Sequence, residues 1–96
     1  MNELQYTEQA LADIERVCDF LLAFDPVAAP DTANIILEAL NILTHNPEIG
    51  RKVAYGNREL VISRGRTGYL ALYRFLPARQ RVLVLAVRHQ REAGYK

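Results

Sequence analysis

A polar cluster near the C-terminus holds the side chains whose types suit chemistry on nucleic acid. It comprises Arg88, His89, Gln90, Arg91 and Tyr95. The guanidinium groups can contact phosphates, the phenol ring can stack on a base, and histidine titrates near neutral pH. His89 or Tyr95 could therefore move a proton during cleavage of an RNA backbone. The same cluster could instead dock a protein, or it could be a solvated terminus in which Tyr95 covers a sheet edge.

The basic side chains are concentrated in the second half of the chain. Residues 1–50 hold nine acids and one base, for a net charge of −8, whereas residues 51–96 hold eleven bases and two acids, for +9. Two interpretations stay open: the halves neutralise each other, or an arginine-rich surface binds nucleic acid or an acidic partner. The second interpretation gives these candidate target-binding residues: Arg58, Arg64, Arg66, Arg74, Arg88, His89 and Arg91.

Metal, redox and hydrolase chemistry have little support in this sequence. The single cysteine, Cys18, excludes an internal disulfide, and the two histidines are far apart with no second cysteine to complete a zinc site. Ser63 has no histidine–acid pair near it in sequence, and no phosphate loop or dinucleotide motif is present. We therefore expect no metal and no cofactor.

The length and hydropathy of the chain predict a single domain over residues 1–96. No apolar run approaches the roughly 18 residues that a membrane span needs. The start, Met1-Asn2-Glu3, lacks the basic and apolar stretches of a signal peptide. We therefore expect a cytoplasmic protein with no membrane partner.

Two amphipathic helices are predicted in the first half. A short strand, Glu3–Tyr6, precedes the first helix, which Thr7 should cap. Apolar residues recur there at spacings of three and four: Leu11, Ile14, Val17, Cys18, Leu21 and Leu22. The second helix is predicted from Thr32 to His45, and Asn46-Pro47 should end it. A short link between the helices predicts an antiparallel hairpin.

Three strands are predicted in the second half, at Leu60–Ile62, Tyr69–Leu76 and Arg81–Val87. The element order is then βααβββ, an α+β fold in which an antiparallel sheet packs against a two-helix hairpin. The middle strand has two apolar rows, and we expect its leucines, Leu70 and Leu72 among them, to face the helices. Arg74 interrupts that row, which indicates that one end of the strand approaches a solvent-facing cleft.

The chain as a whole resembles the RelE/ParE superfamily of toxins from type II toxin–antitoxin systems. The resemblance is carried by four segments in order: Asn46-Pro47-Glu48-Ile49-Gly50, Arg58-Glu59-Leu60-Val61, Tyr69-Leu70-Ala71-Leu72-Tyr73-Arg74 and Val82-Leu83-Val84-Leu85-Ala86-Val87-Arg88-His89. The closing Arg-His-Gln-Arg-Glu and Tyr95 add to it. The family fold is the same βααβββ arrangement that the periodicity predicts.

The resemblance implies one of two activities. RelE-like members cut mRNA in the ribosome with basic residues on the central strands, an arginine after the Gly-Tyr of the third strand and basic and tyrosine residues near the C-terminus. Here Leu70 occupies that third-strand position and Gln90 stands where an arginine would help. His89 and Tyr95 survive as possible catalytic groups. ParE-like members, which this chain resembles more closely, poison DNA gyrase without cutting RNA, so gyrase is the expected target and the ribosome with its mRNA is the alternative.

Either activity implies a cognate antitoxin, ParD-like or similar, whose disordered C-terminal segment folds onto the toxin. The resemblance places an added helix of the antitoxin against the helical hairpin. An apolar groove suits an amphipathic segment, and open sheet edges suit an added strand. The expected antitoxin contacts on the hairpin are Leu11, Ile14, Leu37 and Leu40.

Overall fold

The computed structural model describes residues 1–27, 29–64 and 67–95. Five strands and two α-helices account for most of them, and short 3₁₀ turns lie at Ile42–Thr44, Ala54–Gly56 and Pro77–Arg79. The elements in chain order are β1 (Glu3–Tyr6), α1 (Glu8–Leu22), α2 (Ala29–Asn41), β2 (Arg51–Lys52), β3 (Arg58–Arg64), β4 (Thr67–Leu76) and β5 (Arg81–His89). Both helices pack on one face of one sheet, which confirms the predicted α+β fold.

The first helix begins where the sequence predicts. The side-chain oxygen of Thr7 accepts a hydrogen bond from the Ala10 amide at 3.0 Å, which satisfies one free amide of the first turn. The same hydroxyl donates to the carbonyl of Leu85 at 3.0 Å, so the cap also attaches the helix to β5. The face of α1 that packs on the sheet consists of Ala10, Asp13, Ile14, Val17 and Leu21, all buried.

The second helix starts three residues earlier than predicted and ends earlier as well. Ala29 is its first residue, and its amide donates to the Asp25 carbonyl at 3.0 Å. The chain continues past Asn41 as the 3₁₀ turn Ile42–Thr44. The helical region ends soon afterwards, because Pro47 disfavours the helical conformation of the residue before it. Ile36 and Leu40 are fully buried against the sheet and the first helix.

The sheet has the strand order β1-β5-β4-β3-β2. All neighbouring pairs are antiparallel except β1 and β5, which run parallel with Leu4 opposite Val82 and Tyr6 opposite Val84. The parallel pair and the two-residue strand β2 are features that the sequence did not predict. The connection between these two parallel strands contains both helices and strands β2 to β4, so it is far longer than the minimum that a parallel pair needs.

The central strand buries the opposite row of side chains from the one expected. Tyr69, Ala71 and Tyr73 are at most 1% exposed and face the helices, whereas Leu70 and Leu72 lie half-buried on the other face. The prediction of inward leucines was therefore wrong. Arg74 belongs to the leucine row, and a guanidinium group keeps that row on the side that water reaches.

The hydroxyl of Tyr73 explains why the tyrosine row can be buried. It donates to the Pro47 carbonyl at 2.8 Å and accepts from the Gly50 amide at 2.9 Å. A Cβ at position 50 would lie 2.6 Å from this hydroxyl oxygen, so only glycine fits there. The segment from Asn46 to Gly50 thus covers the Tyr73 hydroxyl, and it directly follows the helical region.

A β-bulge in β5 decides which of its last residues face the helices. Leu72 lies opposite Ala86 but Tyr73 lies opposite Val84, which leaves Leu85 as the additional residue. The bulge shifts the alternation by one position, since each bulge inserts a single residue into the strand. As a result His89 points to the helix-covered face and Arg88 to the other face, here called the open face.

Candidate functional site

The structure separates the members of the C-terminal cluster. His89 is 1% exposed, and its ring lies 5.4 Å from the ring centroids of both Phe20 and Tyr69. Its Nδ1 accepts a hydrogen bond from the Arg91 amide at 3.1 Å, which places the proton of the neutral ring on Nε2. That Nε2 is buried and has no hydrogen-bond partner in the described part of the chain.

The surroundings of His89 keep it neutral and out of reach of a target. Burial lowers the pKa of its imidazole, the positive charge of Arg91 lowers it further, and Glu92 acts in the opposite direction. The expectation that His89 contacts a target or moves a proton on RNA is therefore corrected, because its side chain lies inside the core.

Tyr95 lies on the open face and its hydroxyl is engaged. It donates to Oε2 of Glu59 at 2.6 Å. Burial and this carboxylate raise the pKa of Tyr95 well above its usual range, so the phenol stays protonated at neutral pH. The guanidinium of Arg88 lies 5.4 Å from the centre of the same ring, within the range of a cation–π contact.

Four residues form a charged group on the open face, here called the open-face cluster: Arg51, Glu59, Arg88 and Tyr95. Glu59 is 7% exposed and lies opposite Arg51 in the β2–β3 pair. The Nε of Arg51 donates to Oε1 of Glu59 at 2.9 Å, and Nη2 of Arg51 contacts the same oxygen. Burial opposes ionisation of Glu59, but hydrogen bonds from Tyr95 and Arg51 and the charges of Arg51 and Arg88 outweigh it and lower the pKa.

A second charged group, here called the Arg16 cluster, joins the first helix to the C-terminal segment. It consists of Asp13, Arg16 and Glu92. The Nε of Arg16 donates to Oε2 of Glu92 at 3.0 Å, Nη1 contacts Oδ1 of Asp13, and Nη2 donates to the Val87 carbonyl at 3.1 Å. Asp13 is fully buried and accepts from the Val87 amide at 3.0 Å. Glu92 accepts from the His89 amide at 2.8 Å, which holds the chain end against β5.

The sequence contains a signal for both clusters that is not a known motif. Arg16 is the one base among the first 50 residues, and Glu59 and Glu92 are the two acids among the rest. All three are engaged in the clusters. A charge of the minority sign in a segment of strong opposite charge is thus a useful indicator of an ion pair in this chain.

The other predicted target-binding arginines differ in their accessibility. Arg58 is a structural link: its side chain is 17% exposed and its Nη1 donates to the Glu48 carbonyl at 3.0 Å and the Gly50 carbonyl at 2.9 Å. Arg74 and Arg91 are exposed. Arg66 lies outside the described residues, and only the backbone of Arg64 is described.

The expected antitoxin contacts on the hairpin divide in the same way. Leu11 is 54% exposed and Leu37 is 38% exposed, so both can contact a partner. Ile14 is 7% exposed and Leu40 is fully buried, so these two belong to the core and not to a docking surface. The correction follows from the helical period, because Ile14 and Leu40 point directly at the sheet.

The described residues carry no candidate metal site. His, Cys, Asp and Glu side chains within residues 1–27, 29–64 and 67–95 form no group of three that could hold a metal ion. Neither helix of the described chain is long and apolar enough to cross a membrane. A cleft of about 240 Å³ opens at the β2–β3 hairpin, lined by Lys52, Val53, Gly56, Asn57 and Arg58.

Comparison with known proteins relates the chain to toxins of type II toxin-antitoxin systems. A family model described as the ParE toxin of type II toxin-antitoxin system, parDE, matches residues 4–94. The chain is 29% identical over 92 residues to Toxin RelE3 of Caulobacter vibrioides, covering 96% of this chain and 98% of the relative. It is 35% identical over 68 residues to Toxin RelE1 of the same species, covering 71% and 73%.

A solved structure of a chromosomal ParDE toxin–antitoxin system from P. aeruginosa has the same fold. It superposes with a TM-score of 0.75 at 24% identity and covers 93% of this chain and 96% of that chain.

Proposed function

Because the chain belongs to the ParE toxin family of type II toxin–antitoxin systems, we propose that it stops growth by binding DNA gyrase and that it does not cut RNA. The observation that carries the proposal is the state of the two candidate catalytic groups. His89 is buried between two aromatic rings, and the Tyr95 hydroxyl is bound to Glu59. Neither group is free to exchange a proton with a substrate on the open face. The proposal places the protein in the cytoplasm with the chromosome.

The candidate contact surface for gyrase is the exposed basic part of the C-terminal half. Arg74 and Arg91 are exposed members of the set predicted from the sequence. Arg91 also lies with its guanidinium 5.8 Å from the centre of the exposed Phe24 ring. Arginine and an exposed aromatic ring are enriched at interface hot spots. Arg91 is therefore the strongest single candidate for a target contact.

The test is a DNA cleavage assay with purified gyrase, ATP and plasmid. We expect linear DNA to accumulate in the presence of the toxin, because a trapped gyrase–DNA complex releases double-strand breaks. Arg91→Gln should reduce the linear product by about tenfold, as loss of a central arginine contact does. Arg79→Gln is the matched control, since Arg79 is also exposed but lies at the opposite end of β5. Unchanged DNA with the unmodified toxin would refute the proposal.

Ribosome-dependent mRNA cleavage is the second candidate, favoured by the RelE names of the two relatives. Toxin that leaves gyrase unaffected should then be added to ribosomes programmed with mRNA. Cleavage in the decoding site, lost in Tyr95→Phe, would establish this activity and would require Tyr95 to leave Glu59. Intact mRNA together with trapped gyrase would exclude it.

The antitoxin partner is proposed to cover the exposed apolar side chains of the helical hairpin, with Leu11 and Leu37 as contacts. Binding only to the folded toxin should raise its melting temperature, by an amount that grows with antitoxin concentration. Leu11→Ser should weaken the complex, because it removes apolar area from the contact without opening the core. Ile49→Ser is the matched control, since Ile49 is 60% exposed but lies outside the hairpin. Equal melting temperatures with and without saturating antitoxin would contradict the proposal.

A further inference from the structure

Glu59 is the one acidic residue in strands β2 to β5. It lies on the open face, opposite the basic residue Arg51 in the β2–β3 pair, and its carboxylate accepts a hydrogen bond from the Tyr95 hydroxyl. Its side chain is 8% exposed although the face around it is open to solvent. Glutamate is disfavoured in strands and is seldom buried without a reason.

The groups around the Glu59 carboxylate are those that would hold a phosphate. Arg51 supplies two donors to one carboxylate oxygen, and the Tyr95 hydroxyl donates to the other at 2.6 Å. An arginine fork with a hydroxyl donor is a common arrangement for phosphate oxygens. The Glu59 carboxylate therefore occupies the position in which these donors would hold the phosphate of another molecule.

Arg88 adds a cation whose hydrogen-bonding capacity is not fully used. Its charge stabilises ionised Glu59. Its Nη1 donates to the Glu92 carbonyl at 2.8 Å, but its Nε is buried and has no hydrogen-bond partner among the described residues. Most buried polar groups in folded proteins have a hydrogen-bond partner, so an unsatisfied guanidinium donor calls for an explanation. Among the described residues, Nε of Arg81 is a second such donor, at the other end of β5. The site has more positive donors than the single carboxylate uses.

We propose that the Glu59 carboxylate is a built-in occupant of an anion site formed by Arg51, Arg88 and Tyr95, and that it excludes the phosphodiester backbone of RNA from the open face. The inference rests on the proposed function, in which the toxin does not act on RNA. An attached carboxylate competes with any phosphate at high effective concentration. A phosphate that approached would also be repelled by the negative charge at short range.

A purely structural role explains less of the arrangement. Arg51 has a side chain that is 66% exposed, and ion pairs with an exposed partner contribute little to stability. Tyr95 could cover the sheet with its ring alone. Exclusion of an anion accounts for the charge, its burial and the unused donor together, whereas stability accounts for the hydrogen bonds to Glu59 and the burial of the Tyr95 ring but not for the unused donor.

The test uses Glu59→Gln, which keeps the shape and the hydrogen-bond acceptor but removes the charge. Binding of a short fluorescent single-stranded RNA to the full chain is measured at several salt concentrations. We expect Glu59→Gln to bind RNA about tenfold more tightly, with a steeper salt dependence by about 0.7 in the logarithmic slope, as one added phosphate contact gives. Glu48→Gln makes the same change in net charge at an exposed side chain and should bind like the unmodified toxin.

A second substitution separates a specific site from a general gain of positive charge. Adding Tyr95→Phe to Glu59→Gln removes one donor of the site and should abolish most of the gained affinity. RNA binding by folded Glu59→Gln that is no tighter than by Glu48→Gln would overturn the proposal. Should Glu59→Gln not fold, Glu59→Thr is measured instead, since threonine suits a strand.

Failure of both neutral variants to fold would also overturn the proposal, because the carboxylate would then be a requirement of the fold. The binding assay contains no gyrase, so its result is independent of the cleavage assay. Gain of RNA binding without gyrase trapping by the unmodified toxin would preserve the anion site and refute the proposed function. The reverse combination would preserve the function and refute the site.

Discussion

The Arg16 cluster and the open-face cluster are built from the same groups but differ in burial. Both contain arginine, a carboxylate and a contact from the C-terminal segment, through Glu92 in one and Tyr95 in the other. Asp13 in the Arg16 cluster is fully buried and bonds to the backbone of β5, whereas Arg51 in the open-face cluster is 66% exposed at the side chain. Burial makes the first cluster part of the fold, whereas Arg51 keeps the second cluster in contact with solvent on the open face.

The difference shows how one segment can serve stability and function at its two sides. The chain end after His89 is fastened to α1 by Glu92 and reaches Glu59 with Tyr95. Removing a contact on the helix side should therefore lower stability strongly. Removing a contact on the open side should change stability little and binding more.

The largest effect is expected for Asp13→Asn. It leaves Arg16 without one of its carboxylates and weakens the bond to the Val87 amide. Breaking a buried ion pair costs about 3 kcal/mol of the free energy of unfolding. Urea denaturation followed by circular dichroism measures the loss. Asp19→Asn on the exposed side of the same helix should change stability by less than about 0.5 kcal/mol. A loss equal to that of Asp13→Asn would show that the burial of Asp13 is not what makes it important for stability.

The next effect is expected for Glu92→Gln. Glu92 accepts from Arg16 at 3.0 Å and from the His89 amide at 2.8 Å, and its side chain is 7% exposed. Hydrogen bonds to a charged group contribute about 2 kcal/mol, so the loss should be somewhat smaller than for Asp13→Asn. Native-state hydrogen exchange at the end of β5 should rise as the chain end loosens. A stability loss without faster exchange there would argue that Glu92 does not fasten the segment.

A smaller effect is expected for Tyr95→Phe in the open-face cluster. The substitution removes one hydrogen bond to Glu59 but keeps the ring under Arg88. Because Arg51 still contacts the carboxylate, the loss should be about 1 kcal/mol. The urea midpoint relative to Asp13→Asn gives the comparison. Equal losses for the two substitutions would show that both clusters are structural.

The elements of the fold could be predicted because periodicity is a local property of the chain. The cap at Thr7, the apolar spacing of α1 and the strand at Tyr69–Leu76 all follow from neighbouring residues. The buried row of β4 could not be predicted in the same way. Both rows are largely apolar, and besides Arg74 in the leucine row they are distinguished by the hydrogen bonds of the Tyr73 hydroxyl with Pro47 and Gly50, which lie far away along the chain.

The candidate site was predicted only in part for a related reason. The apolar run from Val82 to Val87 conceals the bulge at Leu85, and without the bulge Arg88 and His89 would exchange faces. The sequence placed His89 near arginines but could not show that it lies between Phe20 and Tyr69. Glu59 was not predicted as a site residue, because its partner Tyr95 is far away along the chain.

The smallest effect concerns the pH dependence of stability, and it belongs to His89 on the buried side of the comparison. Burial lowers the pKa of folded His89 below its ordinary value of 6.5, with Arg91 adding to the shift and Glu92 opposing it. The unfolded chain therefore takes up a proton first as the pH falls. Stability from this group is fully present above pH 6.5 and declines as the pH drops below that value towards the lower pKa of the folded state.

Urea midpoints measured between pH 7.5 and about pH 5.5 test this dependence. His89→Asn keeps an acceptor for the Arg91 amide but cannot titrate, so its stability should decline less across that range than that of the unmodified protein. His45→Asn is the control, since it removes the other histidine of the chain at an exposed position. An undiminished decline in His89→Asn would place the responsible titration elsewhere. The acid range of Glu59 is separate, because its pKa lies below the ordinary value of a glutamate.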